Sequence, residues 1–195
     1  MRRAGFAYAV TQGFSPKMRI SFGPALPVAT GGDREYFDVW LRQYVAAPQA
    51  LERLAAASPV GLGPMDVGYV GENEQSLSAT LTVARYEVVL SEEVDPEALQ
   101  RALGAVIAVG RLEVEHKGKA KVFDLATSLP KEPVAKSSEG RTIAEVVTRM
   151  GPNGSLRPDE LVRQAMRQAN LDGAVETVTR TDLFVEDGEA WRRPL

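Results

Sequence analysis

The order of strand-like and helix-like segments constrains this chain more than any other feature of its sequence. In residues 34–42, Phe37, Val39 and Leu41 alternate with Tyr36, Asp38 and Trp40, and a period of two is the signature of a strand. Residues 17–23 predict a second strand. A helix is expected at 48–57, where Pro48 suits the first turn and Leu51, Leu54 and Ala55 form one stripe. Residues 63–71 predict another strand, and the polar stretch from Gly71 to Ser76 marks a domain boundary.

Beyond that boundary, residues 79–90 predict a strand whose apolar phase changes from Leu81 and Val83 to Tyr86, Val88 and Leu90, which places a bulge at Arg85. Asp95 is positioned to cap a helix, with Pro96 at its first position and Leu99, Ala102, Leu103 and Val106 on one face. Residues 109–116 and 119–127 predict a hairpin turning at Lys117-Gly118. Residues 131–140 predict a polar linker or an irregular edge. A strand at 142–150, a turn at Gly151-Pro152-Asn153-Gly154, a helix at 158–169 burying Leu161, Val162, Ala165, Met166 and Ala169, and a strand at 175–186 complete the set.

Written as a string, this second part is β-α-β-β followed by β-α-β. Apart from one extra or irregular strand, that is the order of a ferredoxin-like sandwich, in which two helices cover one face of an antiparallel sheet. The first part reads β-β-α-β, the same order without its opening β-α. The expected fold is therefore α+β, with tandem ferredoxin-like (βαββαβ) sandwiches built on antiparallel sheets. An incomplete sandwich over 1–72 lacks its opening strand and helix, and a second occupies 77–195. The missing strand would be central, so its absence leaves backbone donors and apolar surface to be covered. Three fillers are open: residues 1–10 rearranged, a strand from a second copy in a homo-oligomer, or residues encoded upstream of Met1.

Composition excludes whole classes of chemistry. There is no cysteine among the 195 residues, which rules out disulfides, thiol catalysis, thiolate zinc sites and an iron–sulfur cluster held by this chain. His116 is the one histidine, so a multi-histidine metal site is excluded. Neither a P-loop nor a dinucleotide-binding glycine pattern occurs. No cofactor and no metal are expected. The apolar run after Arg2 and Arg3 stops at Thr11-Gln12-Gly13 without a small-residue cleavage site, unlike a signal peptide. No uncharged stretch reaches the ~20 residues that span a bilayer. The expected setting is a reducing cytoplasm, with no membrane partner.

With 23 basic and 26 acidic side chains, a net charge of −3 and a pI near 5.4, the whole chain does not have the charge of a general nucleic-acid binder. A local patch does. Residues 1–32 contain Arg2, Arg3, Lys17 and Arg19 and no acid. Gly13 and Pro16 are suited to shape a tight loop around Phe14 and Ser15 that lets backbone N–H groups approach a phosphate. Phe14, Tyr36 and Trp40 are suited to stack on unpaired bases, and Lys117, Lys119 and Lys121 at the hairpin tip to add backbone contacts. Each residue also has a structural alternative: Phe14 as a plug beneath its loop, Tyr36 and Trp40 packed against the other domain, the lysines merely solvated.

The run from Met1 through Arg2-Arg3-Ala4-Gly5 and Gly13-Phe14-Ser15-Pro16-Lys17-Met18-Arg19 to Pro27, followed by Glu35-Tyr36-Phe37-Asp38-Val39, resembles the radical SAM-linked family of uncharacterised bacterial proteins. In that family an arginine-rich helix ending in Arg-Arg-Ala-Gly precedes a Gly-Phe-Asn/Ser-Pro loop, a basic strand and a Glu-Tyr-hydrophobic-Asp strand. The resemblance covers residues 1–45, with weaker echoes at Lys119, Lys121, Asp124 and Leu125 and at Gly154-Ser155-Leu156-Arg157-Pro158. Lys17 and Met18 stand where members often have His-Pro. Members also carry a strand and most of a helix before the Arg-Arg-Ala-Gly segment, which agrees with the missing β-α. They occur fused or adjacent to cobalamin-binding radical SAM proteins, near genes that suggest RNA metabolism. The resemblance therefore implies an accessory protein whose partner is RNA or a radical SAM protein.

Two functions stay open at this point. One is an RNA-binding or substrate-presenting module centred on the Gly13 loop. The other is a protein-interaction module that docks on a radical SAM partner by strand addition at an open sheet edge. Autonomous catalysis is disfavoured: Glu35 and Asp38, three apart on one strand, point to opposite faces, and His116 beside a turn reads as an exposed hairpin histidine.

Overall fold

A computed structural model describes every residue except 72, 73, 92, 93, 117, 152, 153, 189 and 195, with only the backbone of His116 and Lys119. Lys117, part of the break at 71–76 and part of the turn at 151–154 thus lie outside the described residues. The protein is a mixed α+β structure with antiparallel and mixed sheets. Its residues form two compact units: Met1–Pro24, Tyr36–Thr80 and Arg193–Leu195 in the first, Ala25–Glu35 and Leu81–Arg192 in the second.

The first unit is built on a short antiparallel ribbon of β1 (Ile20–Phe22) and β3 (Phe37–Val39), paired Ile20 to Val39 and Phe22 to Phe37. β2 (Gly31–Gly32), between them in sequence, belongs to the second unit. The expected strands at 17–23 and 34–42 are shorter than their apolar pattern because residues beyond them pair elsewhere. Single bridges join Tyr8 to Leu41 and Val10 to Met18. Residues 1–5 form a turn, with Gly5 N–H donating to the Arg2 carbonyl at 3.0 Å. Helix α1 (Ala47–Ala57) carries Pro48 in its first turn, and its Ala50 packs on Ala4 and Phe6 to make a small core. Arg53 of this helix donates to the Ala4 carbonyl from Nε (3.0 Å) and Nη2 (2.7 Å) and lies 4.1 Å from the Phe6 ring centre.

The strand expected at 63–71 does not form. Gly61 takes φ +79°, the Asp66 carboxylate accepts from its neighbour Val67 N–H, and the Tyr69 hydroxyl bonds both the N–H and the carbonyl of Val45. Backbone and side chains here are satisfied locally, without a ladder. A single-turn helix, α2 (Leu77–Thr80), replaces the start of the strand expected from residue 79.

In the second unit, β4 (Leu81–Leu90), α3 (Pro96–Ala108), β7 (Val134–Ser138), β8 (Arg141–Arg149), α5 (Pro158–Ala169) and β9 (Val175–Asp187) follow one another as β-α-β-β-α-β. The four strands lie side by side as β9-β4-β8-β7, all antiparallel, so the first and third are central. A hairpin of β5 (Arg111–His116) and β6 (Lys119–Asp124) with the short α4 (Leu125–Ser128) is inserted between α3 and β7. The strand expected to run to 127 stops at Asp124, whose carboxylate caps α4 by accepting from Thr127 N–H at 2.7 Å. Residues 134–138, expected as a linker or irregular edge, form a regular edge strand.

The caps act as expected. Asp95 accepts from Ala98 N–H at 2.8 Å, and α3 buries Leu99, Ala102, Leu103 and Val106. Helix α5 buries Leu161, Val162, Ala165 and Met166; Ala169 instead faces solvent, because Asn170 takes the left-handed conformation (φ +50°) and ends the helix there. Each fully buried leucine at 99, 103, 161 and 183 contributes roughly 1.5–3 kcal/mol. The pairing of β4 with β9 shifts between Arg85 and Tyr86, where the sequence pattern predicts a bulge, yet the extra residue is Thr181 of β9 and β4 runs in unbroken register against β8. The change of apolar phase has a second cause: Val83 joins Val147, Phe184 and Trp191 in a separate cluster.

Both outer edges of the four strands are occupied in part. The far side of β9 takes β2 in parallel at Thr179 and Arg180 and β10 (Ala190–Arg192) antiparallel from Val185 to Asp187. At β7, the Gln100 side chain from α3 accepts from Ala135 N–H (2.7 Å) and donates to the Pro133 carbonyl (3.2 Å), the two bonds a neighbouring strand would make.

Candidate functional site

The Gly13 loop has a clamped base and a free tip. Thr11 N–H donates to the Lys17 carbonyl at 2.7 Å and Lys17 N–H to Thr11 Oγ1 at 3.0 Å, next to the Val10–Met18 bridge. Between them Gly13 takes φ +131°, a conformation that side chains rarely adopt, and Pro16 stiffens the return. Ser15, Pro16 and Lys17 are exposed. Phe14 has a relative exposure of 107%, so it is no plug beneath the loop. Burying such a side chain would gain roughly 1.5–3 kcal/mol, which the isolated unit forgoes.

Below the loop three strand-like segments meet in a closed ring of backbone hydrogen bonds. Ala9 N–H donates to the Trp40 carbonyl (2.7 Å), Trp40 N–H to the Arg19 carbonyl (3.3 Å) and Arg19 N–H to the Ala9 carbonyl (2.8 Å). This junction sets the Arg19 guanidinium over the Trp40 ring, 4.2 Å from its centre. Two-residue alternation then places Ser21 and Asp38, which are cross-strand partners, on the same face as Arg19 and Trp40. Phe22 and Phe37 occupy the opposite face with their ring centres 6.2 Å apart, and both are exposed.

Asp38 is half-buried, and burial raises its carboxyl pKa above the usual aspartate range. Its side chain makes no hydrogen bond or ion pair within the described residues. Arg2 and Arg3 are exposed, and Arg2 Nε donates to the Tyr8 hydroxyl at 2.9 Å. Tyr36 is half-buried, on the Asp38 side of the strand by alternation. The loop and ribbon thus bring together Gly13, Phe14, Ser15, Pro16, Lys17, Arg19 and Trp40 in the first unit. Lys119 and Lys121 belong to the second; the Lys121 ammonium sits 4.6 Å from the Phe123 ring centre.

Glu35 has a different job. Its carboxylate accepts from Arg180 Nε (2.9 Å) and Nη2 (2.5 Å), and the Arg180 side chain is 1% exposed. Burial opposes the charge on Arg180, but the Glu35 pair, with Tyr86 alongside, holds its pKa above the ordinary guanidinium value. Arg180 Nη1 also donates to the Ala25 carbonyl at 3.3 Å, so one side chain grips both ends of the 25–35 segment. Glu35 is therefore a structural ligand of Arg180. No group of three potential metal-ligating side chains occurs among the described residues, and no helix there is long and apolar enough to cross a membrane. Ser21 and Asp38 were not among the expected binding residues, although the alternation of 34–42 already sets Tyr36, Asp38 and Trp40 on one face.

The sequence model of a family of uncharacterised proteins conserved in bacteria matches residues 1–158. The chain belongs to this family, DUF2344. The DUF2344 match takes in the Gly13 loop, both ribbon strands, the Arg19–Trp40 stack and the second unit as far as Pro158, the first residue of α5. No curated protein and no solved structure matches the chain.

Proposed function

We propose that this DUF2344 protein is an accessory RNA-binding protein of radical SAM-linked type, which holds single-stranded RNA on the Gly13 loop and the adjoining polar ribbon face. The observation that carries the reading is Phe14, fully exposed at the tip of a clamped loop within a 32-residue stretch that has four cations and no acid. An exposed ring stacks on an unpaired base for about 1–3 kcal/mol, and the flanking cations neutralise phosphates. Arg19, whose guanidinium carbon lies 4.2 Å from the Trp40 ring centre, offers a second stacking group. Docking on a protein through a sheet edge has no need of these cations, and in the second unit Gln100, β2 and β10 already occupy edge positions.

The tandem reading belongs to the same proposal. The second unit's β-α-β-β-α-β order with outer strands second and fourth matches a ferredoxin-like sandwich. The ribbon followed by α1 in the first unit is what such a sandwich retains without its opening β-α, with the boundary between 72 and 77. Residues 7–11, which pair with the ribbon segments at Leu41 and Met18, take up part of the vacant position, and a second copy or a radical SAM protein is a partner that would extend the sheet.

The test is a titration of the purified chain against labelled single-stranded and structured RNA at two salt concentrations, with Phe14→Ala and the pair Lys17→Ala, Arg19→Ala. The expected result is micromolar or tighter binding to the single strand, weakened by each variant. If all four cations meet phosphates, the slope of log affinity against log salt is about −3. No binding at low salt refutes the RNA reading for this chain and moves strand-addition docking into its place.

A further inference from the structure

We propose that the polar face of the β1–β3 ribbon reads a guanine in the bound strand, stacked on Arg19 and hydrogen-bonded through its imino and amino N–H groups to the Asp38 carboxylate. The inference deepens the RNA reading above and rests on it.

Asp38 is the informative residue. It stands in the middle of a strand, half-buried, with no hydrogen bond or ion pair among the described residues. A partly desolvated carboxylate without donors is unfavourable, and burial accordingly raises its pKa. The two fully buried aspartates among the described residues show what such a carboxylate requires: Asp159 is engaged by Arg157 and Arg163, Asp182 by Arg34 and Arg85. A bound group that brings its own N–H donors would remove the penalty at Asp38.

The neighbours of Asp38 specify what kind of group. Ser21 and Asp38 are one cross-strand pair and Arg19 and Trp40 the next on the same face, so the stacking surface and the carboxylate are about 6–7 Å apart along the strands. That spacing suits a purine whose ring lies on the guanidinium plane while its Watson–Crick edge meets the carboxylate. Guanine alone among the four bases sets two N–H donors side by side on that edge, matching the two oxygens of a carboxylate. Adenine and cytosine each set an acceptor beside their amino group, and uracil flanks one N–H with two carbonyls, so all three bring an oxygen or nitrogen lone pair against Asp38. The Ser21 hydroxyl is placed to donate to the remaining guanine oxygen. The four cations and absent acids of residues 1–32 supply the charge complementarity that brings a polyanion to this face.

The experiment uses the full chain and four labelled heptamers in fluorescence anisotropy: U7, and U7 with its central residue replaced by guanosine, inosine or adenosine. The expected order is guanosine about tenfold tighter than U7, inosine between them because it lacks the amino group, and adenosine no tighter than U7. Asp38→Asn is expected to abolish the guanosine preference, so that the guanosine heptamer binds no tighter than U7 in the same variant. Equal affinity for U7 and the guanosine heptamer, with salt-sensitive binding retained, overturns the guanine assignment and leaves RNA binding standing. Absence of binding to all four overturns both. The inosine arm changes the RNA alone, so it remains decisive even if the Asp38 variant misfolds.

Discussion

Replacing Glu35 by alanine strips both carboxylate acceptors from the Arg180 fork and leaves a guanidinium that is 1% exposed with the Ala25 carbonyl at 3.3 Å and the Tyr86 hydroxyl beside it. Removing one partner of a buried ion pair costs about 3–5 kcal/mol. Two features of this site lower that range. The Glu35 side chain is 36% exposed, so water already screens its half of the pair, and Arg180 keeps the Ala25 carbonyl and the Tyr86 hydroxyl as acceptors. The expected loss is therefore about 2–3 kcal/mol, or a fall in Tm of about 4–12 °C for a chain of this size. Urea unfolding reads it directly. The two tryptophans lie in different units, so in a Trp40→Phe background the fluorescence of Trp191, which packs on Phe184, follows the second unit alone. The companion variant is Glu35→Leu with Arg180→Met, which removes both charges and is expected to recover most of the loss, since an apolar pair of similar volume replaces a buried ion pair at little cost. A Glu35→Ala variant within about 0.5 kcal/mol of its parent, or a double variant as unstable as the single, would refute the argument.

Three other outcomes follow from the same structure. Gln100→Ala uncovers the β7 edge, so association that grows with protein concentration is expected by size exclusion and light scattering; a monomer at every concentration contradicts the plugging role. Asp38→Asn is expected to stabilise the protein near pH 7. Its folded-state pKa is raised, so the ionised carboxylate opposes folding above the ordinary aspartate range; the gain should vanish in urea melts near pH 3. Glu186→Gln has the opposite sign: the Arg149 guanidinium holds the Glu186 carboxyl below its usual value, so this carboxylate contributes stability above the ordinary glutamate range and loses it as pH falls through the lowered pKa. The variant's deficit should be present at pH 7 and absent in acid.

The elements legible in the sequence are those whose signals are local. Helix α5 occupies 158–169 as expected because Pro158, Asp159 and Glu160 mark its start within one turn, and α3 is read from Asp95, Pro96 and a single apolar face. The first unit is less legible because its signals are not local. Its strands are cut short by pairings with residues 7–11, and Tyr69 satisfies the Val45 backbone from 24 positions away. The 25–35 segment gave no sign of joining the second unit, because what holds it is a side chain 145 positions later. The same division runs through the site. The Gly13 loop and its cations stand out in the sequence, and alternation aligns Asp38 with Trp40. The isolation of Asp38 and the full exposure of Phe14 depend on what every other segment leaves uncovered, which no local pattern encodes.

The ring of hydrogen bonds among Ala9, Arg19 and Trp40 has an implication for how such proteins diversify. Each of the three residues gives one N–H and takes one on its carbonyl, so no strand at the junction can slide by a residue without breaking the other two contacts. Thr11 and Lys17 tie the loop just above it. Residues 12–16 are thereby mechanically decoupled from the register beneath them, and their length and chemistry are free to drift while the junction holds. A lineage can therefore rewrite those five positions and leave the scaffold beneath them untouched.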